Sequence, residues 1–324
     1  MCIRLSLVVT IFAGCTGNKP NVYVAGWEDY GKNGRVARLW KNGTAESLTD
    51  EKIHDAVALS VYVSDNDVYA AGYDAASFNV IAKLWKNGVA QNLKSESNIA
   101  EAYSVYVSGN DVYVAGRDGN VAKLWKNGAP ENLTDGTYRA SALSVCVSDN
   151  DVYVTGYENN ESGKSTAKLW KNGTVQSLTN GIYNAKAYSV CVSGDNVYIV
   201  GYEENAQGWA IAKLWKNGTS ENLTDRITYN AFALSVFVSG NDVYVAGREK
   251  NVAKLWKNGA EENLSDGTNE AEACSVFVSG NDVYVAGTER NENGIYVAIL
   301  WKNGKSKKLS RISRDTKVFS VFVK

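Results

Sequence analysis

A single histidine, His54, and 2 prolines occur among the 324 residues. One imidazole excludes a multi-histidine metal centre, and a Ser-His-Asp arrangement would rest on His54 alone, in a stretch that reads as a crossing loop. Lys plus Arg total 34 against 35 Asp plus Glu. That balance lacks the basic surplus a phosphate backbone demands, so no nucleic-acid partner is expected. Beyond residue 20 the only cysteines are Cys146, Cys191 and Cys274, which is no disulfide framework and no metal site. No cofactor is expected. Helical periodicity is likewise missing after residue 20. What is plentiful is 29 Gly, 19 Tyr and 9 Trp, the tight turns and aromatic strand residues of an all-β protein.

The first twenty residues differ from the rest. Arg4 precedes the apolar run LSLVVTIFA, too short to span a bilayer as a helix, which ends in Ala13 and Gly14 before Cys15. Charge, apolar stretch and small residues in that order make a secretory signal over residues 1–14. The Ala-Gly-Cys ending resembles a bacterial lipobox, with Phe12 where Leu is usual. The resemblance implies lipidation of Cys15, a short tether over residues 15–20, and membrane attachment through that anchor. The expected location is the bacterial cell envelope, at the outer membrane or cell surface.

Residues 21–324 form one repeated unit. Trp-Lys-Asn-Gly begins at Trp40, Trp85, Trp125, Trp170, Trp215, Trp256 and Trp301. SVxVSxxxVYVxG recurs from Ser60, Ser104, Ser144, Ser189, Ser235 and Ser275 with small variations. Its second half alone opens the domain as NVYVAG, and its first half alone closes it as SVFV. Each unit reads as four short strands, with the third and fourth joined by Asn-Gly, the strongest short hairpin signal. Four-stranded units at this spacing are propeller blades. Seven complete blades exist only if the C-terminal strand joins the N-terminal three as their innermost member, which closes the ring and removes its edges. The expected fold is therefore a seven-bladed β-propeller; an open solenoid leaves the split unit unexplained. VSGNDVYVAG followed by a third and an outer strand resembles the YVTN-type bacterial propeller repeats, although the first turn is Ser-Gly-Asn-Asp rather than Pro-Asp-Gly. Such families imply a fold and a surface location, with no chemistry attached.

Two patterns bear on chemistry. Asp65-Asn66-Asp67 and Asp149-Asn150-Asp151 resemble a calcium loop but lack its later glycine and distal carboxylate, so turn chemistry accounts for them. A carboxylate stands two residues after each second-strand glycine: Glu28, Asp74, Asp118, Glu158, Glu203, Glu249 and Glu289. A base on the third strand accompanies six of them, but Ile299 holds that place in the last blade. These read as hairpin ion pairs; seven near-equivalent carboxylates do not supply the separated environments that acid–base catalysis needs.

Comparison of the seven copies locates a candidate binding face. The first-to-second and third-to-fourth turns scarcely vary, whereas the second-to-third loops and the crossings vary and share the other face of a propeller. That face carries Trp27, Tyr30, Tyr73, Phe78, Tyr138, Tyr157, Tyr183, Tyr202, Trp209, Tyr229 and Tyr296, with Glu28 and Glu203 among them. Aromatics beside Asn, Gln and Glu suit a protein interface or sugar rings. From Lys302 onward the chain carries eight bases against Asp315 alone, a basic edge suited to anionic headgroups or to ordinary edge protection. The expectation is a non-enzymatic recognition module binding an envelope or extracellular protein. A glycan-binding surface lipoprotein is the alternative, and an extracytoplasmic enzyme the third reading.

Overall fold

A computed structural model describes residues 19–50, 55–225 and 228–324. Cys15 and His54 lie outside them. The described strands form seven separate four-stranded sheets, numbered here as blades 1–7 by their tryptophans from Trp40 to Trp301. Blade 3 is typical. Its innermost strand, Ala100–Ser108, is followed outward by Asp111–Asp118, Val121–Lys126 and the exposed edge Ala129–Asn132. Blade 1 takes its innermost strand, Thr316–Val323, from the C-terminus. That strand pairs antiparallel with Val22–Asp29, Val22 opposite Val323 and Glu28 opposite Thr316. Asn21 and Lys324 exchange backbone hydrogen bonds of 2.6 and 2.9 Å, which finishes the seal.

The invariant turns explain themselves locally. Asn127 and Gly128 have φ of 51° and 80°, the doubly left-handed geometry that Asn-Gly adopts at least cost and that matches strand twist. The Asn127 side chain then ties the neighbouring turn. Its Oδ1 accepts from Val112 N at 2.8 Å and its Nδ2 donates to Asp111 at 2.7 Å. Lys126 Nζ lies 2.8 Å from Asp111 and 5.3 Å from the Tyr113 ring centre. The same four-residue cluster recurs around Asp67, Asp151, Asp242 and Asp282. Asp67 and Asp151 of the calcium-like triplets thus spend their carboxylates on Lys86 and Lys171.

In all five clusters the lysine, then the asparagine, holds the aspartate below the usual carboxylate range. A depressed folded pKa gives stability that is present above the unfolded pKa and lost as pH falls through the folded one. The melting temperature should therefore decline as pH drops below about 4. Blades 1 and 5 already carry Asn21 and Asn196 at this position, with Asn42 and Asn217 Nδ2 donating to them at 2.8 and 3.0 Å. Asp→Asn at the other five positions should flatten the acid limb of a Tm–pH curve; an unchanged limb would assign acid lability elsewhere.

The core is not one mass but seven layers, each between adjacent blades. Trp125 of blade 3, fully buried, packs with Tyr69, Ala71, Leu84 and Leu93 of blade 2. Trp85 does the same against Tyr23, Ala25 and Leu39 of blade 1. The closing layer sets Trp40 of blade 1 on Tyr284, Ala286 and Ala298 of blade 7. Alanines on the second and third strands let the indole of the next blade approach the sheet; a larger residue there would hold adjacent blades apart.

A ring of serines links the innermost strands. Ser60 Oγ accepts from Val105 N at 3.1 Å, Ser104 from Val145 and Ser144 from Val190 at 3.3 Å. Ser189 and Ser235 continue it to Val236 and Val276 at 3.2 Å, and Ser275 to Val321 at 3.1 Å. Ser320 then accepts from Val61 N at 3.1 Å, closing the circle. Each link spans two blades.

Beside this ring the innermost strand is bulged, with a register shift between Ala102 and Ser104 in blade 3 and its counterparts in the others. The bulge drives a carbonyl into the second strand, opposite the invariant glycine. A β-carbon on Gly116 would overlap Glu101 O and come within 2.8 Å of Trp125 Cζ3. Close approach of backbone, not a special φ, requires that glycine.

Candidate functional site: the channel mouth and the variable loops

Apart from blade 1, the innermost strands differ from one another at three positions only. The deepest is Tyr62, Tyr106, Cys146, Cys191, Phe237, Phe277 and Phe322. Rings at this level touch around an arc: Phe237–Phe277 at 4.5 Å, Phe277–Phe322 at 4.7 Å, then Phe322–Tyr62 and Tyr62–Tyr106 at 4.8 Å between centres. Cys146 and Cys191 continue the set as free thiols. Burial pushes Cys191 up to about 12 and raises Cys146 as well, so both stay protonated at neutral pH and serve as small apolar residues.

The other two positions, with the residue after each invariant glycine, lie toward the variable loops. Arg117 Nε donates to Glu101 at 2.5 Å and to the Tyr103 hydroxyl at 3.1 Å, and Tyr103 also donates to Glu101. Between blades, Arg35 pairs with Asp55 at 2.5 Å and Arg248 with Glu272 at 3.0 Å. Lys186 sits 4.3 Å over Tyr157. Tyr188 stacks on Tyr202 at 5.8 Å, and Tyr202 meets Phe232 edge-on at 5.1 Å. Charge pairs and rings thus alternate around the mouth, and none repeats sevenfold.

The candidate aromatics separate into two groups. Trp27, Tyr157 and Tyr202 are buried, while Tyr30 and Tyr73 are half-buried. Arg38 and Arg314 hold Tyr30, the latter 4.1 Å over its ring. Tyr138, Tyr183, Trp209 and Tyr229 are exposed, and Phe78 stands almost wholly in solvent. Glu28 and Glu203 belong to hairpin ion pairs, with Arg38 at 3.0 Å and Lys213 at 3.3 Å. Tyr296 is half-buried beneath Lys317, whose Nζ is 3.8 Å from the ring centre.

Trp209 and Tyr229 come together. With Phe232, Arg248 and Lys250 they border a groove of about 290 Å³ between blades 5 and 6. Lys250 lies 4.6 Å over Tyr229 and Arg248 4.8 Å over Phe232. The loop presenting Trp209 is stiff: Asn205 Oδ1 accepts from Gln207 N and Trp209 N, each at 3.0 Å. Asn160 and Asn291 brace the equivalent loops the same way. This Asn-x-x-Gly signal at Asn160, Asn205 and Asn291 is legible in the sequence as an Asx turn and is missed when only aromatics are sought.

Six of the seven hairpin carboxylates are paired as expected, at 3.0 to 3.6 Å. Asp118 and Lys123 are both buried. Burial opposes ionisation of Asp118, but hydrogen bonds from Ser97, Glu96 N and Lys123 outweigh it and hold the carboxyl below its usual range. Glu289 is the exception: among the described residues it has no ion pair, and burial raises its pKa.

Neither the known protein families nor the curated proteins contain a match. Solved structures do. The β-propeller domain of the Trilobed protease from Pyrococcus furiosus, described as having an open velcro topology, aligns at TM-score 0.57 and 9% identity over 91% of this chain and 97% of that one. A puromycin-hydrolysing peptidase of Mycobacterium tuberculosis aligns at 0.58 and 9% identity over 89% of this chain. This chain covers 53% of that peptidase, about half its length. A prolyl endopeptidase aligns at 0.55 and 10% identity, over 92% of this chain and 50% of its own. At such identities the likeness establishes the class, a seven-bladed β-propeller, and no activity.

Proposed function

We propose that this propeller is a recognition module that presents its variable-loop face to a protein partner, anchored on the Trp209–Tyr229 groove. One observation carries the reading. Seven near-identical blades diverge at the mouth and the loops, and there a stiffened Trp209 stands exposed beside Tyr229, flanked by Arg248 and Lys250. Exposed aromatics on rigid supports, with arginine alongside, are what interface anchors are made of. A lipid on Cys15 fits this orientation. The described chain starts beside Asn21, which bonds to Lys324 and to Asn42 of an invariant turn. A tether leaving there would turn the constant face, with exposed Lys305 and Lys307 near it, toward the membrane and the loops away from it.

Capture from native envelope extract by the immobilised chain tests the reading, with and without prior protease digestion of the extract. Loss of specific capture after digestion, and at least a tenfold weakening in Trp209→Ala and Tyr229→Ala, are the expected results. Capture that survives protease would replace the protein partner with a glycan. Capture indifferent to both substitutions would remove the groove from the interface.

A further inference from the structure

In six blades a third-strand base fills the space beside the hairpin carboxylate: Arg38, Lys83, Lys123, Lys168, Lys213 and Lys254. Blade 7 breaks the set. Ile299 occupies the register position opposite Gly287 where those bases stand, and its side chain ends in methyl groups short of the ammonium site. Glu289 remains, half-buried, with no ion pair among the described residues. A cavity of about 290 Å³ opens there, walled by Val297, Ile299 and Ile312 and rimmed by asparagines together with Arg290, Glu292 and Lys308.

Lys308 does not repair the loss. It stands opposite Ile299 on the outer strand, where the other blades have Ser or Asn, and its side chain is exposed to solvent. Its charge eases the ionisation of Glu289, but burial and the nearby Asp266 carboxylate outweigh it. A buried-side carboxylate without an ion-pair partner is costly, and the fold keeps this one beside an open cavity with an apolar wall and a polar rim.

We propose that this cavity binds a primary alkylammonium group, with Glu289 as counter-ion and Ile299, Val297 and Ile312 against the methylene stem. The protein itself defines that ligand chemistry, because five sister blades fill the same place with the alkylammonium of a lysine. The site lies between blade 7 and its crossings, away from the Trp209 groove, so its failure leaves the protein-recognition reading untouched.

The test is titration of the full chain with n-butylammonium at neutral pH, against 1-butanol as the uncharged counterpart. Saturable binding with a Kd of about millimolar is expected for so small a ligand, and none for the alcohol. Glu289→Gln, nearly isosteric, should weaken binding at least tenfold. Ile299→Lys restores the internal partner; it should abolish binding and raise the Tm by about 1–2 °C. Nα-acetyl-lysine amide distinguishes the source. Binding as tight as n-butylammonium points to a lysine side chain on a partner protein, and binding of the small amine alone points to a free amine; both uphold the site. Absence of binding by the wild-type chain, or equal binding in wild type and both variants, would overturn it.

Discussion

Deletion of residues 316–324 is expected to abolish cooperative folding, the largest effect of any change considered. The lost strand carries Val318, Val321 and Val323, all essentially buried, and its removal uncovers the layer that holds Trp40 against Tyr284 and Ala286. It also breaks two links of the serine ring, Ser320 to Val61 and Ser275 to Val321. Blade 1 would keep three strands and present Val22–Asp29 as a bare edge, a template for pairing with other chains. Denaturation followed by circular dichroism should show no two-state transition, and size exclusion should show aggregates. A circular permutant distinguishes lost contacts from a merely shortened chain. Lys324 and Asn21 already face each other as Ser64 and Asp67 do across their turn. Joining them through Gly-Asn, with new termini between Asp315 and Thr316, should restore a Tm within a few degrees of wild type. A folded deletion variant, or an unfolded permutant, would refute closure as the source of stability.

Second in size are the layers between blades, where two substitutions act in opposite senses. Trp125→Ala empties a site that is fully buried and deletes the bond from Nε1 to Lys94 O at 2.8 Å. Loss of that much buried surface, with a cavity left behind, should cost about 3–5 kcal/mol. Gly116→Ala adds one carbon and should cost a similar amount, about 3 kcal/mol or more, because the obstacle is the backbone carbonyl of Glu101 on the innermost strand and cannot rotate away. Urea titration measures both. Alanine at Gly128, in an exposed turn with φ of 80°, meets only the Gln91 side chain at 3.5 Å and should cost no more than about 1–2 kcal/mol. Equal losses at Gly116 and Gly128 would contradict the close-approach account.

The carboxylate set shows how far a repeat can be read without coordinates. Repetition of an acid on the second strand and a base on the third foretold six pairs, because a base opposite the glycine and an acid two residues beyond it share one face as diagonal neighbours. The same comparison exposed Ile299 as the odd member. It could not show whether Lys308 would swing in to compensate, since a long side chain on an outer strand has many rotamers and the pattern fixes none of them. The aromatics were less legible. Trp27, Tyr157 and Tyr202 follow the repeated glycine near the loop end of the second strand, yet all three are buried in the packed mouth. A strict two-residue alternation misplaces the inner strand here, because the bulge at Leu59, Tyr103 and their equivalents shifts the register by one.

The sequence by itself determined the number of blades, the split blade and the constant face. Each of these follows from local rules repeated seven times: Asn-Gly turns, alternating strands and a unit cut in two by the chain ends. Only the tertiary structure decided which side chains reach solvent. The serine ring, the glycine pressed by a carbonyl, the stiffened Trp209 beside Tyr229 and the unpaired Glu289 all depend on contacts between neighbouring strands, blades or loops. Such contacts are set by the angle at which whole sheets pack, and no stretch of a single chain segment encodes that angle.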